Sequence, residues 1–241
     1  MLSQFFAVLF SVLVLVTPQP SPTPQPTTSY KTYFPVFHFF RDVEKGVGLT
    51  YGNCEDAVNV GAGWAYRWSP WGASECEGLV EWVPQIHRMD WCNIVVKSPS
   101  QFVMGLNEPD LTSQGNATPL QGAMCQRQIE LNYPNKKIVS HSPSDNDPQW
   151  LERSRNAYID LYGRPPRWDA LGAHTYQRVD EAKATLLWFV DKAKEWGVPE
   201  VWVTEYATMP CRYASVDETL QAGRDLTRWI REQPTITRFA W

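Results

Sequence analysis

Eight short apolar runs, separated by longer segments of helical character, constrain this chain more than any other feature. They cover residues 47–51, 60–66, 80–86, 102–107, 138–142, 169–174, 200–205 and 235–241. Each has the length of a strand and is too short for a buried helix. The helical pattern between them is clearest at 148–162 and 180–196. In the latter, Ala184, Leu187, Trp188, Val190 and Ala193 make a mostly apolar face with Lys and Glu opposite. Gly197-Val198-Pro199 then stops the helix and leads into the next run. Parallel strands need such crossovers, so eight runs joined this way predict an α/β (β/α)8 barrel.

The last run ends the chain at Trp241, where a complete barrel adds a loop and a helix. About 210 residues follow the N-terminal region, against roughly 250 in the usual fold, which fits a truncated product, a fragment or a barrel lacking its final helix. Residues 5–16 form an apolar run that falls short of the roughly 20 residues of a membrane span. That run suits the core of a secretory signal, although no Lys or Arg precedes it; an uncleaved anchor is the other reading. Thr17 to Ser29 is rich in Pro, Thr, Ser and Gln and reads as a linker. The expected organisation is therefore a signal-like segment at 1–16, a linker and lead-in at 17–44 and a barrel domain at 45–241.

Cys54, Cys76, Cys92, Cys125 and Cys211 match no zinc spacing and suit an exported protein with one or two disulfides and a leftover thiol. Asn116-Ala117-Thr118 is a formal glycosylation sequon. A net charge of −4 without a basic run argues against nucleic acid as a partner. Twelve Trp and ten Tyr serve either core packing or a sugar-binding groove, since the C–H face of a pyranose packs on indole; composition leaves both open.

Two of the runs end in glutamate. One reads Phe102-Val103-Met104-Gly105-Leu106-Asn107-Glu108-Pro109, the other Val201-Trp202-Val203-Thr204-Glu205-Tyr206. Alone, a strand-end Glu is more often a cap or a salt-bridge partner. Counting changes that reading: Glu108 follows the fourth strand and Glu205 ends the seventh. Barrel active sites form at the C-terminal strand ends, and strands four and seven face one another across the mouth. Two facing carboxylates there are the equipment for breaking a glycosidic bond.

Taken together, Gly63-Trp64-Ala65-Tyr66-Arg67-Trp68-Ser69-Pro70, Gly105-Leu106-Asn107-Glu108-Pro109-Asp110, His174-Thr175-Tyr176 and Trp202-Val203-Thr204-Glu205-Tyr206 resemble glycoside hydrolase family 128. That family comprises β-1,3-glucanases, many of them fungal, in the clan of (β/α)8 retaining glycosidases. The resemblance implies Glu108 as acid/base and Glu205 as nucleophile, with Glu108 starting protonated so that the leaving oxygen can depart. It also implies that Asn107 bonds the sugar 2-hydroxyl and that His174 and Tyr176 hold the nucleophile. The bland alternatives are a turn residue for Asn107 and a satisfied buried histidine for His174.

Trp64, Tyr66 and Trp68 alternate along the second strand and share one side of it. Tyr66 and Trp68 are candidate substrate contacts, Trp68 as a sugar platform; Trp241, at the end of strand eight, is the other platform candidate. The chain departs from the family pattern at Arg67 and at Gln85-Ile86-His87, and both departures are expected near the groove.

The resulting expectation is a secreted, extracellular or wall-associated, monomeric endo-β-1,3-glucanase. Its partner is β-1,3-glucan, with no cofactor, no metal, no nucleic acid and no membrane for the mature domain. The alternatives are a glucan-binding surface protein without turnover, or a related barrel acting on another β-linked polysaccharide.

Overall fold

The computed structural model describes residues 46–50, 53–72 and 78–241, the first five as backbone. The signal-like segment, the linker, Tyr51 and Cys76 lie outside the described residues. The strands are β1 (Gly46–Thr50), β2 (Trp64–Tyr66), β3 (Glu81–Trp82), β4 (Phe102–Met104), β5 (Lys137–Val139), β6 (Ala170–Thr175), β7 (Glu200–Tyr206) and β8 (Ile236–Ala240). They form one sheet in the order β3-β2-β1-β8-β7-β6-β5-β4, parallel throughout. Residues just past β3 close the ring. Gln85 bridges Met104, whose amide donates to the Pro84 carbonyl at 2.9 Å, while the Ile86 amide donates to Met104 at 2.9 Å.

All eight expected strands are present, β2 to β5 and β8 with shorter bounds than expected. Pro84 has no amide hydrogen, so the third run cannot continue its ladder as one strand. At the second run, Val60 caps the preceding helix, α1 (Cys54–Asn59), and the strand starts only at Trp64.

Four longer helices pack outside the sheet: α2 (Pro119–Asn132), α3 (Trp150–Tyr162), α4 (Val179–Trp196) and α5 (Val216–Glu232). Thr118 caps α2 in a reciprocal pair with Gln121, and Pro119 occupies the first turn, where a missing amide hydrogen costs nothing. Gly197 ends α4 at φ 70, a left-handed conformation that a side chain would oppose. Among the described residues, no helix crosses from β2 to β3, and the β3–β4 connection holds a single 3-10 turn, Met89–Trp91. The barrel is therefore incomplete on that side. A disulfide between Cys92 and Cys125 fastens this connection to α2. Closing a loop with a sequence separation of 33 restricts the unfolded chain by roughly 4 kcal/mol. Cys54 is also disulfide-bonded, and Cys211 is free and exposed.

Strand alternation sorts the core into two layers. Val103, Ile138, Leu171, Val201, Val203 and Phe239 face the helices, meeting Ile129, Leu151, Leu186, Phe189 and Leu226. Trp64, Tyr66, Phe102, Met104, Val139, Ala170 and Trp202 fill the interior. Full burial of aliphatic or Phe side chains of this kind stabilises by about 1.5–3 kcal/mol each. Arg238 plugs the lower interior, its guanidinium 4.2 Å from the Trp202 ring centroid and 2.7 Å from Glu81. A cavity of about 890 Å³ opens at that end, lined by Val80, Glu81, Phe102 and Arg238, whereas the glutamates lie at the C-terminal strand ends on the other side. No helix among the described residues is long and apolar enough to cross a membrane.

Candidate active site

Past the end of β4 the backbone stays hydrogen-bonded on both sides. Asn107 donates to the His87 carbonyl at 3.0 Å, and Glu108 donates to the Ser142 carbonyl at 2.8 Å. His141 adds a strut: its Nδ1 accepts from the Leu106 amide at 2.9 Å, and its Nε2 lies 2.9 Å from the Gly122 carbonyl of α2. The fully buried ring is pushed down to about 4 by loss of solvation, so it stays neutral and can do both. These ties hold Glu108 at φ 37, in the left-handed region, just before a proline. For a non-glycine residue that costs roughly 1–3 kcal/mol, and it persists because the surrounding bonds fix it. Glu108 is buried, at 8% exposure.

Glu205 reaches the same place by a different device. Along β7, Val203 pairs with Ala173 but Glu205 pairs with His174, which leaves Thr204 as an extra residue. Trp202 and Thr204 face the interior, so simple alternation would turn the next side chain outward. The bulge resets the phase and aims Glu205 inward as well. Gly172 makes room at this level, since a Cβ there would lie 2.1 Å from the Ser142 hydroxyl, which bonds Thr204.

The Glu205 carboxylate accepts from three donors. Trp68 Nε1 stands 2.7 Å and Tyr66 Oη 3.0 Å from Oε1, and Tyr176 Oη stands 2.6 Å from Oε2. Burial, followed by the charge of Glu205 and the bond to it, holds the Tyr176 phenol well above its usual range, so it remains a donor. Tyr176 is itself set by Asp145, which accepts its backbone amide hydrogen.

His174 lies between the glutamates, with Nδ1 3.2 Å from Glu108 Oε1 and 3.6 Å from Glu205 Oε2. Burial opposes its charge, but Glu205 and the bond to Glu108 outweigh that and raise its pKa. One ligating atom from each of Glu108, His174 and Glu205 lies within 4.8 Å of the others. By distance this trio could hold a cation, although three donors already occupy the Glu205 oxygens.

The structure thus gathers Glu108, Glu205, His174, Tyr176, Tyr66 and Trp68 into one cluster. Asn107, the neighbour of Glu108 in the chain, has its Oδ1 held by Gln85, whose Nε2 donates to it at 3.3 Å. Trp241 stands elsewhere. Phe239 faces outward and Ala240 inward, so the next residue turns outward again, and Trp241 packs edge-on against Tyr206 beside Gly223 of α5. Arg67 likewise leaves the groove, stacking its guanidinium over Trp82 on the α1 side. Gln85, by contrast, is buried and turned toward Asn107. Its signal in the sequence was a glutamine inside an apolar run, a polar group that needs a partner once buried.

Two glutamates at the ends of β4 and β7, meeting over a histidine from β6, are chemically suited to hydrolysis of a glycosidic bond. Comparison with known proteins agrees: residues 48–241 match the glycosyl hydrolase catalytic core family. The chain belongs to that family. Among solved structures, this glycosyl hydrolase core is similar to a curdlan-specific exo-β-1,3-glucanase of glycoside hydrolase family 128, subgroup III, from Blastomyces gilchristii. The TM-score is 0.66 at 20% identity, covering 81% of this chain and 88% of that one. It is also similar to an exo-β-1,3-glucanase of subgroup VI from Aureobasidium namibiae, at TM-score 0.65, 20% identity and 82% of both chains. An endo-β-1,3-glucanase of subgroup II from Pseudomonas viridiflava gives TM-score 0.61 at 23% identity, covering 83% of this chain and 86% of that one. At these identities the likeness establishes the barrel fold. No curated protein matches the chain in sequence.

Proposed function

We propose that this glycosyl hydrolase is a member of glycoside hydrolase family 128, a secreted retaining endo-β-1,3-glucanase with Glu205 as nucleophile and Glu108 as acid/base. The observation that carries the reading is the unequal pair of carboxylates, an oxygen of each within 4.8 Å of the other. Retaining enzymes hold their carboxyl groups about 5–5.5 Å apart, whereas inverting ones leave roughly 6.5–9.5 Å for a water. The inequality assigns the roles. Glu205, fixed by three donors, attacks the anomeric carbon. Glu108, bonded through its side chain to His174, protonates the departing oxygen and then takes a proton from the water that releases the sugar. Asn107, with its oxygen engaged by Gln85, has an NH2 group to offer the sugar 2-hydroxyl. The β-1,3 linkage is supported by the solved relatives, and export by the disulfides.

The test is reducing-end release from a linear β-1,3-glucan, with β-1,4-glucan beside it and Glu205→Gln as control. Release from the β-1,3 polymer, lowered about 10⁴-fold or more in the control, is expected. Proton NMR of the first product should show the β anomer, and a falling viscosity ahead of sugar release marks internal cleavage. Folded protein that releases nothing from either polymer rejects the reading in favour of a glucan binder.

A further inference from the structure

The loops after β2 and β3 carry an aromatic group that the hydrolytic cluster does not use. Three residues beyond Trp68, Trp71 stands 53% exposed, an unusual state for the largest apolar side chain. Its position is built. The Trp71 amide donates to Ser69 Oγ at 3.1 Å, and the Ser69 carbonyl accepts from the Gln85 amide at 3.0 Å, which locks the two loops together. Trp91 props it edge-on, with centroids 5.4 Å apart and planes at 70°. Trp91 is in turn covered by Arg88, whose guanidinium lies 5.8 Å from its ring. Trp71 is therefore the indole left open to a ligand.

His87 links this pair to the glutamates. Its ring centroid is 5.9 Å from Trp91, its carbonyl holds the Asn107 amide, and its charge state responds to both Glu205 and Glu108. Its Nδ1 is buried and has no hydrogen-bond partner among the described residues. Burial first, then Arg88, depresses its pKa, so it presents a neutral ring that can accept as well as donate.

We infer that Trp71, propped by Trp91, is the platform of an additional subsite that takes a glucosyl unit of the β-1,3-glucan chain away from the cleavage point, with His87 as the polar contact on the way. The inference rests on the glucanase reading of the glutamates. A pyranose offers one C–H face to stack on indole and hydroxyls on its rim for an imidazole, the combination found here. The occupant follows from continuity: the segments carrying Trp71 and Trp91 run directly from Trp68 and His87.

Calorimetric titration of linear β-1,3-gluco-oligosaccharides into the Glu205→Gln protein reads binding without turnover. Adding Trp71→Ala should raise the hexasaccharide Kd about tenfold, while Trp71→Phe keeps it within about threefold. Leu131→Ala, an exposed α2 position, should leave it unchanged. Thermal unfolding checks that the exposed site tolerates each change. An unchanged Kd in folded Trp71→Ala protein overturns the subsite while the glucanase reading stands. Failure of the Glu205→Gln protein to bind any β-1,3 oligosaccharide, with no release by the unaltered chain, overturns both.

Discussion

His141 and His174 are both fully buried, one at the end of β5 and one in β6, yet their charges are governed in opposite directions. Around His141 stand the Leu106 amide and the Gly122 carbonyl. The Gly122 carbonyl repays only part of the hydration lost on protonation, so its pKa falls to about 4. Around His174 stand two carboxylates, and they overcome the same penalty and lift it. Burial alone therefore does not decide what a histidine does. A ring that meets backbone dipoles stays neutral and serves as a strut, and a ring that meets carboxylates has its proton held.

The largest effect should come from breaking the member of the pair that faces the carboxylates. His174→Ala removes the group between Glu108 and Glu205 and leaves the two carboxyl groups without the ring that bridges them. We expect kcat on β-1,3-glucan to fall about 10³-fold, with a displaced acidic limb in the pH–rate profile. A purely structural histidine would instead lower the unfolding midpoint and leave the shape of the profile alone. Rates measured across pH on folded protein separate the two.

The strut gives a stability effect with a definite sign. The folded His141 pKa of about 4 lies below the 6.5 of the unfolded chain, so the unfolded state binds more protons between those values. Its contribution is fully present above pH 6.5, is lost as pH falls to about 4 and stays flat below, a change of about 3 kcal/mol. His174 runs the other way. Its contribution is complete below its unfolded pKa of 6.5 and is lost as pH rises through the higher folded value. Urea unfolding at several pH values should therefore show His141→Gln flattening the slope between pH 6.5 and 4. An unaltered slope in that variant would mean that His141 is not the group responsible.

Much of this fold was legible as spacing. The eight runs and the terminators around α4 depend on local pattern, and the glutamates sit where the strand count placed them. What pattern could not show was phase. Whether Trp241 faces the mouth or α5 depends on the pairing of β8, and whether Glu205 faces in depends on the extra Thr204 in β7. Neither feature changes composition or periodicity enough to be read from one chain. The strut role of His141 was equally hidden, because it joins residues brought together only by closing the barrel. Gln85 was the intermediate case: its burial need was visible but its partner, Asn107, was not.

The smallest test sharpens the account of why His174 is lifted. Tyr176 supplies one of three hydrogen bonds to Glu205, at 2.6 Å, and removing only its oxygen leaves the ring packing in place. With one donor gone, the negative charge on Glu205 is less satisfied, and the nearby His174 should hold its proton more tightly. Tyr176→Phe should therefore lower kcat about tenfold, the worth of one charge-assisted bond, and move the His174 titration seen by NMR to higher pH. The His141 signal, which faces no carboxylate, should stay where it was. If both histidines move together, Tyr176 acts through the packing of the barrel mouth. If His174 moves alone, it is the carboxylates that set the contrast between the two rings.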